Sequence, residues 1–108
     1  MDDMKVILHE EVRKYAGSGR GLNLRLFPML DDDRHNYTVV AVDDPIRDQW
    51  DDYAGVVVLA RLVGDIIVVE VDATDKPLVD ALLQRGVPRD KIVLAYAGEP
   101  RPDPTPDA

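Results

Sequence analysis

Residues 72–96 read DATDKPLVDALLQRGVPRDKIVLAY and contain the start, the apolar face and the end of one helix. Thr74 or Asp75 is predicted to cap that helix, because either side chain can accept hydrogen bonds from the free N–H groups of the first turn. Pro77 is predicted to lie inside this turn, where its missing N–H has no cost. Leucine and valine recur over residues 78–83 on one side of the helix, which predicts packing against a sheet.

The helix is predicted to end at Gly86. Glycine can take the positive φ of the residue that follows a helix, and Val87 can then contact Leu82 across the turn. Pro88 prevents the helix from continuing. Residues 92–96 are apolar and rich in β-branched side chains over the length of a strand, so a final strand is expected after the helix.

A helix and a first hairpin are predicted in the N-terminal half. Apolar residues keep helical spacing over residues 3–16, with Asp2 or Asp3 as the N-cap. The hairpin comprises the alternating strand 22–27, the acidic turn 31–36 and the return strand 37–42. Pro28 near the end of the first strand indicates a sheet edge or a bulge.

A second hairpin gives the clearest strand signal in the chain. Residues 56–62 and 66–71 are almost continuously apolar, which predicts central strands that are covered on both faces. Gly64 supplies the positive φ of the turn between them. The predicted class is therefore α+β: an N-terminal helix, a largely antiparallel sheet of two hairpins, then a helix and a final strand. The connection through that helix is long enough for the last strand to lie parallel to the fourth.

The chain of 108 residues is expected to form one domain over residues 1–98, followed by a proline-rich acidic tail over residues 99–108. There is no cysteine, which excludes disulfides and thiolate metal sites. No apolar run reaches membrane-spanning length and no basic segment precedes an apolar one, so the cytoplasm is the expected location. The net charge of −8 argues against direct nucleic-acid binding and favours a basic partner.

Residues for catalysis are few, and we expect no enzyme activity, no cofactor and no metal. Three adjacent aspartates in the turn 31–36 could attract a cation, but consecutive residues do not easily direct three carboxylates at one point. Asp65, Glu70 and Asp72 are the alternative for two-metal chemistry. Asp72 is also explained by the turn into the helix, and Glu70 by the polar face of its strand.

The C-terminal half resembles the XisI family of element excision controlling factors. The resemblance rests mainly on a motif over residues 72–96 whose members are Asp72, Thr74, Gly86, Val87, Pro88, Ile92, Val93 and Leu94. Each of these positions also has an expected structural role. The family often has a histidine in the third strand and a tryptophan in the fourth, where this chain has Leu59 and Val68.

The resemblance implies a non-catalytic regulatory protein that acts in excision of a DNA element through a XisH-like, nuclease-like partner. The alternative is an acidic antitoxin or inhibitor that covers the basic cleft of a nuclease-like protein. Trp50, Asp51 and Asp52 are the candidate partner contacts, because an aromatic side chain flanked by acids suits a basic protein surface. The alternative is that Trp50 packs over the edge of the sheet. A homodimer is also expected, since the strands carry more apolar surface than a chain this small can cover.

Overall fold

The computed structural model describes residues 3–16, 24–43 and 54–103. The helices and strands, in chain order, are α1 (Met4–Arg13), β1 (Leu24–Asp31), β2 (Asn36–Asp43), β3 (Ala54–Val63), β4 (Ile66–Asp72), α2 (Leu78–Gln84) and β5 (Ile92–Leu94). Short 3-10 turns follow at Lys14–Ala16, Arg89–Lys91 and Ala95–Ala97. This is the α+β architecture that the sequence predicts. No helix in these described ranges is long and apolar enough to cross a membrane.

The five strands form one sheet in the order in which they occur in the chain. β1 to β4 are antiparallel neighbours, and β5 lies parallel to β4 with Ile92 opposite Ile67. The parallel pairing confirms the prediction for the last strand, since α2 provides the crossover that a parallel pair requires.

Both helices pack on one face of the sheet, which we call the inner face. Ile7, Leu8 and Val12 of α1 and Leu78 and Leu82 of α2 are at most 1% exposed. They form one cluster with alternate residues of the strands: Tyr37, Val39, Val58, Ala60, Ile67, Val69 and Ile92. The intervening strand residues lie on the opposite face of the sheet, which we call the outer face.

The expectation that β3 is covered on both faces is wrong. Val56 is 43% exposed and Leu59 is only partly buried, both on the outer face. An apolar run shows that a strand lacks charged side chains, but it does not show whether both faces of the strand are packed against other elements. Val68 of β4 also lies on the outer face, and it is fully buried.

The first hairpin is longer than predicted at its tip. β1 continues through Pro28 to Asp31, and the turn is confined to residues 32–35, with His35 at φ 61°. Pro28 is tolerated because β1 is an edge strand, as the proline indicates. Residues 22 and 23, predicted to begin this strand, lie outside the described residues.

The start of α2 differs from the prediction. Pro77 is itself the N-cap residue, and neither Thr74 nor Asp75 caps the helix. The acceptor is Asp72, whose Oδ2 lies 2.7 Å from the Leu78 N–H nitrogen. A carboxylate at the end of β4 reaches this donor because the connecting residues turn back towards the strand. At the other helix, Asp3 is the N-cap as expected and accepts from the Lys5 N–H.

The end of α2 is as predicted. Gly86 has φ 91°, and its N–H donates to the Leu83 carbonyl at 3.0 Å. The Val87 N–H donates to the Leu82 carbonyl at 3.1 Å, and both side chains are buried in the core. This is the Schellman arrangement, in which positive φ at the glycine allows two otherwise free carbonyls to be satisfied.

Gly86→Val should lower the free energy of unfolding by about 1–2 kcal/mol, since a side chain at positive φ is strained. A Cβ at Gly86 would meet no atom within 4 Å, so the loss would come from the backbone alone. Urea unfolding followed by circular dichroism measures it, with Gln84→Val as the control for a β-branched residue at the end of α2. Equal stability of the two variants would contradict the assignment.

Candidate functional site

Two motif residues, Asp72 and Thr74, meet where β4 passes into α2. Asp72 Oδ1 accepts hydrogen bonds from the Thr74 N–H at 3.0 Å and the Thr74 hydroxyl at 2.6 Å, while Oδ2 caps α2. Lys76 contributes its carbonyl, which accepts from the Tyr15 hydroxyl at 2.5 Å. The junction thus ties β4, α2 and the end of the N-terminal helical segment together.

The other motif residues continue this structural pattern. Gly86, Val87 and Pro88 end α2, and Ile92 to Leu94 form β5. Val87 and Ile92 are each 2% exposed, and Val93 lies opposite Val68 in the register. These side chains shape the crossover, and they do not direct polar groups into one cavity.

The carboxylates considered for two-metal chemistry do not meet. Asp65, in the turn between β3 and β4, pairs with Lys91 at 2.6 Å. Glu70 is held by Arg61 and Arg101, and Asp72 caps α2 at the far end of β4. Within residues 3–16, 24–43 and 54–103, no three histidine or acidic side chains are grouped to hold a metal ion.

A buried acid joins the two helices. Glu11 on α1 is 5% exposed, with its Oε2 2.9 Å from Lys14 Nζ and 2.7 Å from Arg85 Nη1. Burial alone would raise the pKa of Glu11, but hydrogen bonds and charge from Lys14 and Arg85 outweigh it and leave the pKa below its usual value. Arg85 also reaches Glu10 at 2.9 Å, so one guanidinium from the end of α2 holds two acids of α1.

The acidic turn is anchored by a histidine and a tyrosine. Asp32 Oδ1 lies 3.0 Å from His9 Nδ1 and accepts from the Tyr37 hydroxyl at 2.9 Å. Burial, together with the adjacent Asp32 carboxylate, raises the pKa of Tyr37, which keeps its hydroxyl a hydrogen-bond donor. Asp31 instead accepts from backbone N–H groups of the turn. The three aspartates therefore have different partners, and the turn is no shared cation site.

The first residues of the predicted tail cross the outer face. We call residues 99–103 the strap. Glu99 Oε1 accepts from the Leu94 N–H of β5 at 2.9 Å. Arg101 pairs with Glu70 of β4 at 2.5 Å, and Asp103 pairs with Arg61 of β3 at 3.0 Å. Arg61 and Glu70 also pair with each other at 2.8 Å, so these ion pairs form one connected network that joins the strap to β3 and β4.

Two open grooves accompany these features, each of about 560 Å³. One lies beside the acidic turn, next to Met29 and Thr38. The other lies between the two helices, where Lys14, Tyr15 and Asp80 line it. Burial raises the pKa of the Tyr15 hydroxyl, which stays protonated at neutral pH.

The comparison with known proteins identifies the chain's relatives. A family model described as XisI protein matches residues 2–102. The chain belongs to the XisI family. The match includes most of the strap, which the sequence analysis assigned to the tail. No curated protein matches the chain.

Two solved structures share the fold of this XisI-family chain. A XisI-like protein from Anabaena variabilis ATCC 29413 has a TM-score of 0.73 at 21% identity, over 84% of this chain and 82% of that one. The fdxN element excision controlling factor XisI from the same organism has a TM-score of 0.72 at 20% identity, over 86% of this chain and 88% of that one. At these identities the likeness concerns the fold.

The partner contacts predicted from sequence, Trp50, Asp51 and Asp52, lie outside the described residues. Leu59 and Val68, where the family often has histidine and tryptophan, both lie on the outer face by strand alternation. Sequence reasoning missed the Glu11–Arg85 and His9–Asp32 contacts, since each joins residues far apart in the chain.

Asp72→Ala should lower the free energy of unfolding by about 1–2 kcal/mol, because it removes a helix cap and the acceptor for Thr74. Asp75→Ala is the matched control, since Asp75 is exposed and is not the N-cap. Chemical denaturation of both variants measures the difference. A larger loss for Asp75→Ala would restore the cap predicted from sequence.

Glu11→Gln should destabilise the protein at pH 7 by at least about 1 kcal/mol, because it leaves Arg85 without the charge of a buried partner. A carboxyl whose pKa is lowered on folding stabilises the folded protein at pH values above its usual pKa of about 4.5. This stabilisation is lost as the pH falls through the pKa of the folded state. The difference from wild type should therefore shrink below pH 4.5. Glu10→Gln, at a 52% exposed side chain, should cost little at any pH. A constant difference for Glu11→Gln between pH 7 and pH 3 would contradict this.

Proposed function

We propose that this chain is a non-catalytic regulatory protein that controls excision of a DNA element by binding a protein partner. The observation that carries the proposal is membership of the XisI family over residues 2–102. One structural neighbour is named an excision controlling factor. The proposed partner is a XisH-like, nuclease-like protein, and the proposed location is the cytoplasm.

The charge of the chain supports contact through a protein rather than directly with DNA. A net charge of −8 opposes approach to a phosphate backbone at long range. It favours encounter with a basic protein surface. Residues 43–53 hold five aspartates around the single tryptophan, so we propose Trp50, Asp51 and Asp52 as the contact with the partner.

The arrangement of the carboxylates supports a non-catalytic role. Asp65, Glu70 and Asp72 are each engaged in a separate structural contact, an ion pair or a helix cap. A hydrolase would instead need acidic groups that converge on one reacting atom. The homodimer expected from the sequence is part of this proposal, and the exposed apolar side chains of the outer face support it.

The purified protein should give no mobility shift with duplex DNA at low salt. Co-expressed with a XisH-like protein from the same genome, it should co-purify with that protein. Trp50→Ala should reduce the yield of the complex without loss of fold, because aromatic side chains anchor many interfaces. Tyr96→Ala is the control, since it removes an exposed aromatic side chain outside residues 43–53. Tight, salt-sensitive DNA binding by the isolated protein would overturn the proposal.

The antitoxin or inhibitor remains the second candidate, and the acidic charge favours it as well. The two functions differ in what the partner does when this chain is absent. An antitoxin should suppress a nuclease activity of the partner and protect cells from its expression. A regulator of excision should instead be required for the recombined DNA product, which a polymerase chain reaction across the element detects.

A further inference from the structure

The outer face carries an open apolar patch on β1, β2 and β3. Two rows of register partners cross these strands. The first row is Phe27, Val40 and Val56, and the second is Met29, Thr38 and Leu59. Phe27 and Val56 are each 43% exposed and Met29 is 56% exposed. Contiguous exposed apolar side chains of this kind mark a surface that binds another molecule.

The patch ends where the strap begins. The next row along the strands is polar and comprises Asp31, Asn36 and Arg61. Arg61 is part of the ion-pair network that holds Asp103 of the strap over β3. The strap thus occupies the β3–β5 side of the outer face and leaves the two apolar rows uncovered.

The charges beside the patch are complementary under a two-fold rotation. The outer-face residues of β1 are Arg25, Phe27, Met29 and Asp31, in that order. The two-fold axis lies above the outer face, runs perpendicular to the strands and crosses β1 between Phe27 and Met29. Rotation about it places each strand antiparallel over the same strand of a second copy. It places Arg25 opposite the partner's Asp31 and Phe27 opposite the partner's Met29. An interface of this type is self-complementary, because each contact occurs twice.

We propose that the open patch binds a second copy of this chain, sheet to sheet, about this two-fold axis. This inference rests on the homodimer proposed above but not on the regulatory role. Two molecules of charge −8 repel each other, so a stable contact requires a surface that is free of unbalanced charge. The two rows carry no charged side chain, and the Arg25–Asp31 pairs across the axis add attraction at their ends. Sheets that pack face to face bury such rows at a separation of about 10 Å.

Pairing through strand edges is the less favourable route to a dimer. Pro28 lies in the middle of β1 and removes one backbone donor from that edge. At the other edge, β5 has three residues, and Glu99 of the strap accepts from the Leu94 N–H at its end. Face-to-face packing needs no donor from either edge.

Light scattering coupled to size exclusion tests the interface on the purified protein alone. At about 100 μM the wild type should have twice the 12.1 kDa mass of one chain. Met29→Asp should raise the dimer dissociation constant by at least about tenfold, since the buried charge occurs twice. Leu83→Asp is the matched control, because Leu83 is 41% exposed on α2, on the other side of the sheet, and its variant should remain dimeric.

A charge reversal tests the direction of packing. Arg25→Glu should weaken the dimer at about 50 mM salt, and the effect should diminish at about 500 mM, where screening is stronger. Arg13→Glu makes the same change of net charge on α1 and should leave the dimer intact. Circular dichroism of each variant shows that it is folded.

The proposal is overturned by a monomeric wild type at about 100 μM. A dimer that Leu83→Asp dissociates and Met29→Asp does not would also overturn it, as would equal effects of Arg25→Glu and Arg13→Glu. If Met29→Asp instead disrupts only a complex with a different protein, the patch has another occupant. The light-scattering measurements involve neither DNA nor a XisH-like protein, so failure of the dimer is distinct from failure of the regulatory function.

Discussion

The crossover from β4 to β5 depends on the carboxylate of Asp72. One oxygen holds Thr74 and the other accepts from the Leu78 N–H, so the chain turns back over the sheet as soon as β4 ends. This turn places Leu78 and Leu82 in the core and leaves the chain at the point where β5 can pair with β4. A parallel pair has no tight hairpin to fix its register, so the geometry of the connection must do so.

The sequence predicts the parts of this crossover that depend on neighbouring residues. Gly86 and Pro88 end α2 as expected, because a positive φ and a missing N–H act on the backbone at the position itself. The prediction of the capping residue at the other end is wrong. The acceptor lies six residues before the donor, and whether the two meet depends on the path of the intervening turn. Thr74 and Asp75 have the right chemistry for a cap but lie at the wrong place on that path.

Contacts between residues far apart in the chain could not be predicted from the sequence for the same reason. Glu11 and Arg85 are 74 residues apart in the chain, and nothing local in either segment shows that α1 and α2 lie side by side. The prediction that β3 is covered on both faces failed in a related way. Its apolar run is equally compatible with one packed face and one exposed face. The side on which a helix packs is a property of the whole topology.

The family motif reports the architecture of the crossover, and this limits what it says about function. Asp72, Gly86 and Ile92 each have a structural contact that accounts for their residue type, so the motif would be required whatever the protein binds. Binding specificity must then reside in surfaces that the motif leaves free to vary. The outer face is such a surface, because its side chains alternate with those of the core and can change without disturbing the inner face. In this chain Leu59 lies at the open patch and Val68 lies fully buried near the strap, so the same face is apolar in one part and closed by ion pairs in the other. A fold of this kind can keep its core and crossover while the molecule that covers its sheet changes.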